Sequence, residues 1–141
     1  MQKLLSISLL GLIIFHTSLM AGDDWMTDFA AARIKAAAEQ KPLLLDFTGS
    51  DWCGWCIKLE KEVFSQKVFK EFAADNLVLV ELDFPRSEEQ SEDLKAQNKA
   101  LAEKYGIRGF PTILVLSPEG ELMEKTGYLR GGPEAYVAHI K

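Results

Sequence analysis

At 141 residues, 48% of them hydrophobic and 26% charged, the chain has the size and composition of one ordinary globular domain with a real core. Its 16 basic and 21 acidic residues give a net charge of −5, which lacks the basic footprint that nucleic-acid binding needs. No internal repeat or low-complexity tract is present.

Met1 to Ala21 reads as a signal peptide. Lys3 supplies a positive start, and Leu4 to Phe15 is apolar apart from two serines and a glycine. Small residues follow at Ala21 and Gly22. The run is short for a membrane span, which takes roughly 20 apolar residues; an uncleaved anchor is the rival reading. Leu19 is a mediocre residue three positions before the cut, and the absence of a cysteine after the apolar core argues against lipidation. Removing residues 1–21 leaves 15 basic and 21 acidic residues, a net charge of −6, on a domain over 22–141. The expected location is periplasmic or secreted, where disulfide chemistry is possible.

Trp25 to Gln40 is predicted as a helix with Phe29, Ala30, Arg33, Ile34 and Ala37 at helical spacing. Lys41-Pro42 ends it, because the residue before proline is pushed out of the helical region. Leu43 to Phe47 then reads as a strand covered on both faces. Asp46 is the odd member, since a carboxylate buried there is costly to ionise. It either acts as a proton acceptor near the thiols that follow, the favoured reading, or sits at the strand end, where it reaches water or caps a loop.

After a turn over Thr48 to Trp52 come the only two cysteines, Cys53 and Cys56, at C-x-x-C spacing. A structural zinc site needs four ligands, and the only histidines are His16 and His139. Attachment of c-type haem needs a histidine after the second cysteine, where Ile57 stands. A structural disulfide closing so short a loop would constrain little chain entropy. The favoured reading is a redox pair, with a structural disulfide and half of a metal site as its rivals. Cys53 is expected at the start of a helix, where unpaired N–H groups and the helix dipole stabilise a thiolate. Cys56, one turn further in, suits the resolving role. Lys58 either adds positive potential or, as favoured, is a solvated lysine on the helix face. Trp52 and Trp55 are open to two readings, packing residues or a flat apolar surface for an extended substrate.

The helix is expected to run through Val63, with Ser65 capping a second segment that carries Val68, Phe69, Phe72 and Ala73 on one face. Leu77 to Leu82 reads as a second buried strand. Arg86 to Lys104 reads as a solvated amphipathic helix with a mobile acidic start at Glu88-Glu89, a partner-docking surface being the alternative. Tyr105 to Thr112 closes that helix with glycine and enters a strand, Thr112 to Leu116, across Pro111. A cis Phe110–Pro111 bond would turn the Phe110 backbone outward to pair with an extended substrate. Pro118 to Glu121 signals a hairpin turn, followed by a strand to about Gly127. Pro133 suits the first turn of a closing helix, on which His139 is structural or solvated rather than catalytic.

Trp52-Cys53-Gly54-Trp55-Cys56 resembles the WCGxC active site of the thioredoxin superfamily, and Tyr105 to Thr112 resembles its YGIRGxPT segment. The likeness extends from about Trp25 to Lys141 and includes Gly127. With Asp46 and Asp83-Phe84-Pro85, the chain is most similar to exported bacterial thiol-disulfide oxidoreductases of the Dsb type. The resemblance implies an α/β thioredoxin fold, a central mixed β-sheet flanked by helices. It also implies attack by Cys53, resolution by Cys56, a cis Pro111 facing them and a buried proton relay at Asp46. Trp52, Gly54, Trp55 and Phe110 are the supporting positions. Four departures stand out. One extra residue separates Asp46 from Cys53, the strand Leu77 to Leu82 lacks the lysine that partners this aspartate in thioredoxins, Trp55 replaces a proline, and the segment from Asp83 to Tyr105 is longer.

The implied activity is reduction of disulfide-containing protein substrates, with no metal or organic cofactor, re-supplied by a membrane-embedded electron donor, in a monomer. An oxidase, an isomerase and a non-enzymatic peptide-binding module are the alternatives. Family oxidases usually carry a helical insertion and isomerases a dimerisation domain, neither found in these residues, and the intact cysteine pair argues against a binding module.

Overall fold

The computed structural model describes residues 24–141. The expected signal peptide lies outside the described residues. Five strands form one mixed sheet in the order β1-β3-β2-β4-β5. These are β1 (Trp25–Met26), β2 (Leu43–Thr48), β3 (Val78–Asp83), β4 (Thr112–Leu116) and β5 (Leu122–Thr126). Parallel β1 and β3 pair, as do parallel β2 and β3, while β4 runs antiparallel to both β2 and β5. The helices are α1 (Phe29–Glu39), α2 (Gly54–Leu59), a π-helical segment (Glu60–Phe64), α3 (Lys67–Asn76), α4 (Glu92–Lys104) and α5 (Gly132–Ile140).

The central strand β2 explains why its apolar run is unbroken. All six of its residues are buried. Leu43, Leu45 and Phe47 point to one face and pack with Ala32 and Ala36 of α1 and Leu101 of α4. Leu44 points to the other face and packs with Leu59, Phe64, Phe69 and Tyr136 from the helices opposite. Alternation along a strand therefore puts Asp46 on the Leu44 face, beneath the helix that begins at the cysteines. Each large apolar side chain so buried contributes about 1.5–3 kcal/mol, so this two-sided burial makes β2 a rigid base for the loop that follows it.

Four expectations about the elements need correction. Trp25 and Met26 do not begin the first helix. They pair with Leu79 and Val80 as β1, and the Trp25 ring packs on Phe64 with centroids 5.2 Å apart. The helix starts after Asp28, whose carboxylate accepts the Ala31 N–H at 3.0 Å. Its buried residues are Ala32 and Ala36, while Ile34 is 73% exposed, because the small alanines let the helix lie close to the sheet. Ser65 does not cap α3; it closes the π-helical segment, donating to the Lys61 carbonyl, and Gln66 precedes α3 without a side-chain cap. Residues 86–91 are not helical. α4 begins only at Glu92, where Ser91 accepts the Leu94 N–H and Glu92 and Asp93 favour the positive end of the dipole.

Candidate active site

Cys53 and Cys56 are joined in a disulfide and both are buried. Cys53 is the N-cap of α2, and its Sγ accepts the Cys56 N–H at 3.2 Å. The loop reaches this geometry because the Trp52 and Cys53 N–H groups both donate to the Gly49 carbonyl, at 3.2 and 2.8 Å. A thiolate at Cys53 would sit where backbone donors and the helix dipole already favour negative charge. Gly54 is exposed, and a Cβ there would meet nothing within 4 Å.

Trp52 is part-buried and held by several contacts. A Cβ on Gly49 would lie 2.5 Å from the indole, so only glycine lets the ring approach. The indole N–H donates to the Phe84 carbonyl at 2.7 Å, and Phe110 meets the ring edge-on at 5.8 Å. The Arg86 guanidinium lies 3.8 Å over the ring centroid. Arg86 is in turn fixed by Asp51, whose carboxylate accepts the N–H groups of Arg86, Ser87 and Glu88 at 2.6–3.1 Å. Those donors, led by Arg86, hold the Asp51 carboxyl below its usual range. Trp52 is thus a clamped packing residue. Trp55 behaves differently: it is 52% exposed and tilts against Tyr128 with centroids 5.0 Å apart. Lys58 stands 5.1 Å over the Trp55 ring and 5.4 Å over that of Tyr128, and Glu62 binds both Lys58 and the Tyr128 hydroxyl. Lys58 is thus exposed on the helix face, as expected, with its ammonium beside two aromatic rings.

The Phe110–Pro111 bond is cis. A Cβ on Gly127 would come within 3.1 Å of the Pro111 carbonyl, and the Tyr136 hydroxyl donates to the Gly127 carbonyl at 2.9 Å. The closing helix thereby braces the proline loop. His139, on the same helix, contacts only the Thr126 hydroxyl among the hydrogen bonds described.

Behind Cys56 a cavity of about 290 Å³ is lined by Trp25, Asp46, Cys56, Glu60 and Glu81 among others. Asp46 is 8% exposed, and its Oδ1 has no hydrogen-bond partner among the described residues. Burial pushes its carboxyl well above the usual range, and Glu81, Glu60 and Asp83 push it further the same way. Sequence reasoning found Asp46 but missed Glu60, Glu81, Asp51, Arg86 and Tyr128. Only Glu81 carried a signal, as a charged residue inside an otherwise apolar strand. No group of three or more His, Cys, Asp or Glu side chains suited to a metal ion occurs among the described residues.

A C-x-x-C disulfide at a helix start, over a mixed sheet and beside a cis-proline loop, is one arrangement of a known domain. A family model described as a thioredoxin-like domain matches residues 29–140. The chain belongs to the thioredoxin-like family. Among relatives of this family, it is 38% identical over 113 residues to the disulfide bond reductase DsbH of Chlamydia pneumoniae, covering 80% of this chain and 68% of the relative. It is 34% identical over 103 residues to the thioredoxin-related protein DsbJ of the same organism, covering 73% of this chain but only 30% of that relative. A solved DsbH oxidoreductase structure superposes with a TM-score of 0.78 at 37% identity, covering 82% of this chain and 80% of that one. The thioredoxin-like frame explains the order of the elements, with the cysteines at the end of the central strand and the proline opening β4.

Proposed function

We propose that this protein is a thiol-disulfide oxidoreductase that reduces protein disulfides outside the cytoplasm. The reading is carried by one observation, the Cys53–Cys56 disulfide at the α2 N-terminus in a chain alike over most of its length to a disulfide bond reductase. In the reduced protein the Cys53 thiolate attacks a substrate disulfide, forming a mixed disulfide and releasing one substrate thiolate. Cys56 then loses its proton to the Asp46 carboxylate and attacks Cys53, which frees the second substrate thiol and closes the Cys53–Cys56 disulfide. The substrate chain pairs with the backbone beside the cis Pro111, and Trp55 with Tyr128 offers it an apolar shelf.

The electrons of the exchange pass through the cysteine pair. The dithiol must be restored by another protein, for which a membrane-embedded electron donor is the proposal. Among the described residues no helix is long and apolar enough to cross a membrane, and export rests on the signal peptide read at residues 1–21. The test is insulin reduction by wild type and Cys53→Ser: loss of activity in the variant supports the reading, and undiminished activity overturns it.

A further inference from the structure

Three carboxyl groups, Asp46, Glu60 and Glu81, line the cavity behind Cys56, and the reaction written above uses only one. Asp46 on β2 and Glu81 on β3 are partners in the parallel register, as Leu44 and Leu79 are two residues earlier. Registered neighbours share a face and stand one strand spacing apart, about 4.8 Å. Leu44 and Leu79 both pack in the core on the α2 side, so Asp46 and Glu81 face that side too, where both line the cavity with Cys56. Asp46 is nearly sealed from solvent and its Oδ1 is unpartnered among the described residues. Glu81 is half-buried and also lines a second cavity of about 290 Å³, bordered by Thr27, Asp83 and the exposed Glu88 and Glu89. It stands between the buried acid and water.

We propose that Glu81 is a positioning residue for the exchange: its carboxylate keeps Asp46 loaded with the proton that Cys56 takes up when the disulfide opens. This rests on the reading of Cys53 and Cys56 as an exchanging pair. When a reducing thiolate attacks Cys53, the S–S bond breaks and its electron pair leaves on Cys56. The Asp46 carboxyl gives that sulfur its proton and becomes a carboxylate, and a mixed disulfide joins Cys53 to the donor. The new carboxylate then lies beside Glu81, and like-charge repulsion draws in a replacement proton from solvent. Among the described residues, the other charged groups that act on Asp46 push in the same direction. Asp83 on β3 and Glu60 on the π-helical segment are acidic, Tyr136 on α5 is neutral with its hydroxyl engaged by Gly127, and β4 presents Ile113 in register. A cation at position 81 would instead pull the proton off.

The test compares wild type, Glu81→Gln and Glu81→Asp. The Asp46 side-chain carboxyl is titrated by carbon-13 NMR in the disulfide form. Disulfide opening by dithiothreitol, followed by tryptophan fluorescence, is measured across pH and normalised to dithiothreitol thiolate. The normalised rate is highest where Asp46 is protonated. In Glu81→Gln both midpoints are expected to move to lower pH, making opening several-fold slower at mildly alkaline pH, while Glu81→Asp keeps the wild-type midpoints. Unmoved midpoints in Glu81→Gln, or equal movement in both variants, overturn the role of Glu81. Wild type that fails to reduce insulin would instead overturn the exchange reading itself.

Discussion

The clamp on Trp52 makes the contacts of the cysteine loop measurable. Trp52→Phe keeps an aromatic ring over Gly49 but removes the indole N–H bonded to Phe84 and shrinks the face beneath Arg86. One part-buried hydrogen bond is worth about 1 kcal/mol, and an Arg–Trp contact at an exposed site about 0.5–1 kcal/mol. The expected loss is therefore about 1–2 kcal/mol, which for a domain of this size lowers the melting temperature by roughly 3–8 °C. Arg86→Ala should cost less, and the double variant should fall short of the sum by about 0.5–1 kcal/mol, since the two share one contact. The assay is thermal and urea unfolding of the disulfide form in a double-mutant cycle. A coupling energy indistinguishable from zero would show that Arg86 lies over the ring without holding it, and would refute the clamp.

Other outcomes follow from the same geometry. Asp46→Asn should stabilise the protein at neutral pH while slowing insulin reduction. A carboxyl whose folded-state pKa is raised contributes stability present below its unfolded value, near 3.8, and loses it as pH rises through the folded value. The gain from Asp46→Asn should thus be absent in acid and grow toward neutral pH in urea titrations; a gain that is constant with pH would contradict it. Trp55→Ala, at a half-exposed ring, should change stability by less than about 1 kcal/mol yet raise the KM for a protein disulfide with little effect on small disulfides. A large melting shift would instead make Trp55 a packing residue.

The cysteine pair, the cis-proline loop and four of the five strands were legible because each has a local cause: spacing, proline, or an apolar run bounded by turn residues. What escaped depends on partners remote in sequence. Trp25 and Met26 have no strand signal of their own and become β1 only because β3 offers an edge and Phe64 a surface for the indole. Ile34 looked like a core residue by spacing, but the close approach of Ala32 and Ala36 leaves it outside. The loop before α4 looked helical because charged residues fit a solvated helix face. It is instead drawn out by Asp51, some thirty-five residues earlier. The two tryptophans, indistinguishable as letters, separate once their neighbours are known: Trp52 is enclosed by Gly49, Phe84, Arg86 and Phe110, while Trp55 faces solvent beside Tyr128. The sequence shows that the second buried strand lacks a lysine, but not that Glu81 lies in register with Asp46. Register is a property of two strands and cannot be read from one.

The reduction potential of the Cys53–Cys56 pair, equilibrated against glutathione or dithiothreitol, tests the central claim most directly. A disulfide reductase is expected to lie near thioredoxin, at about −270 mV. A value near the roughly −120 mV of a strong disulfide-donating oxidant would reverse the proposed direction of electron flow and contradict the account.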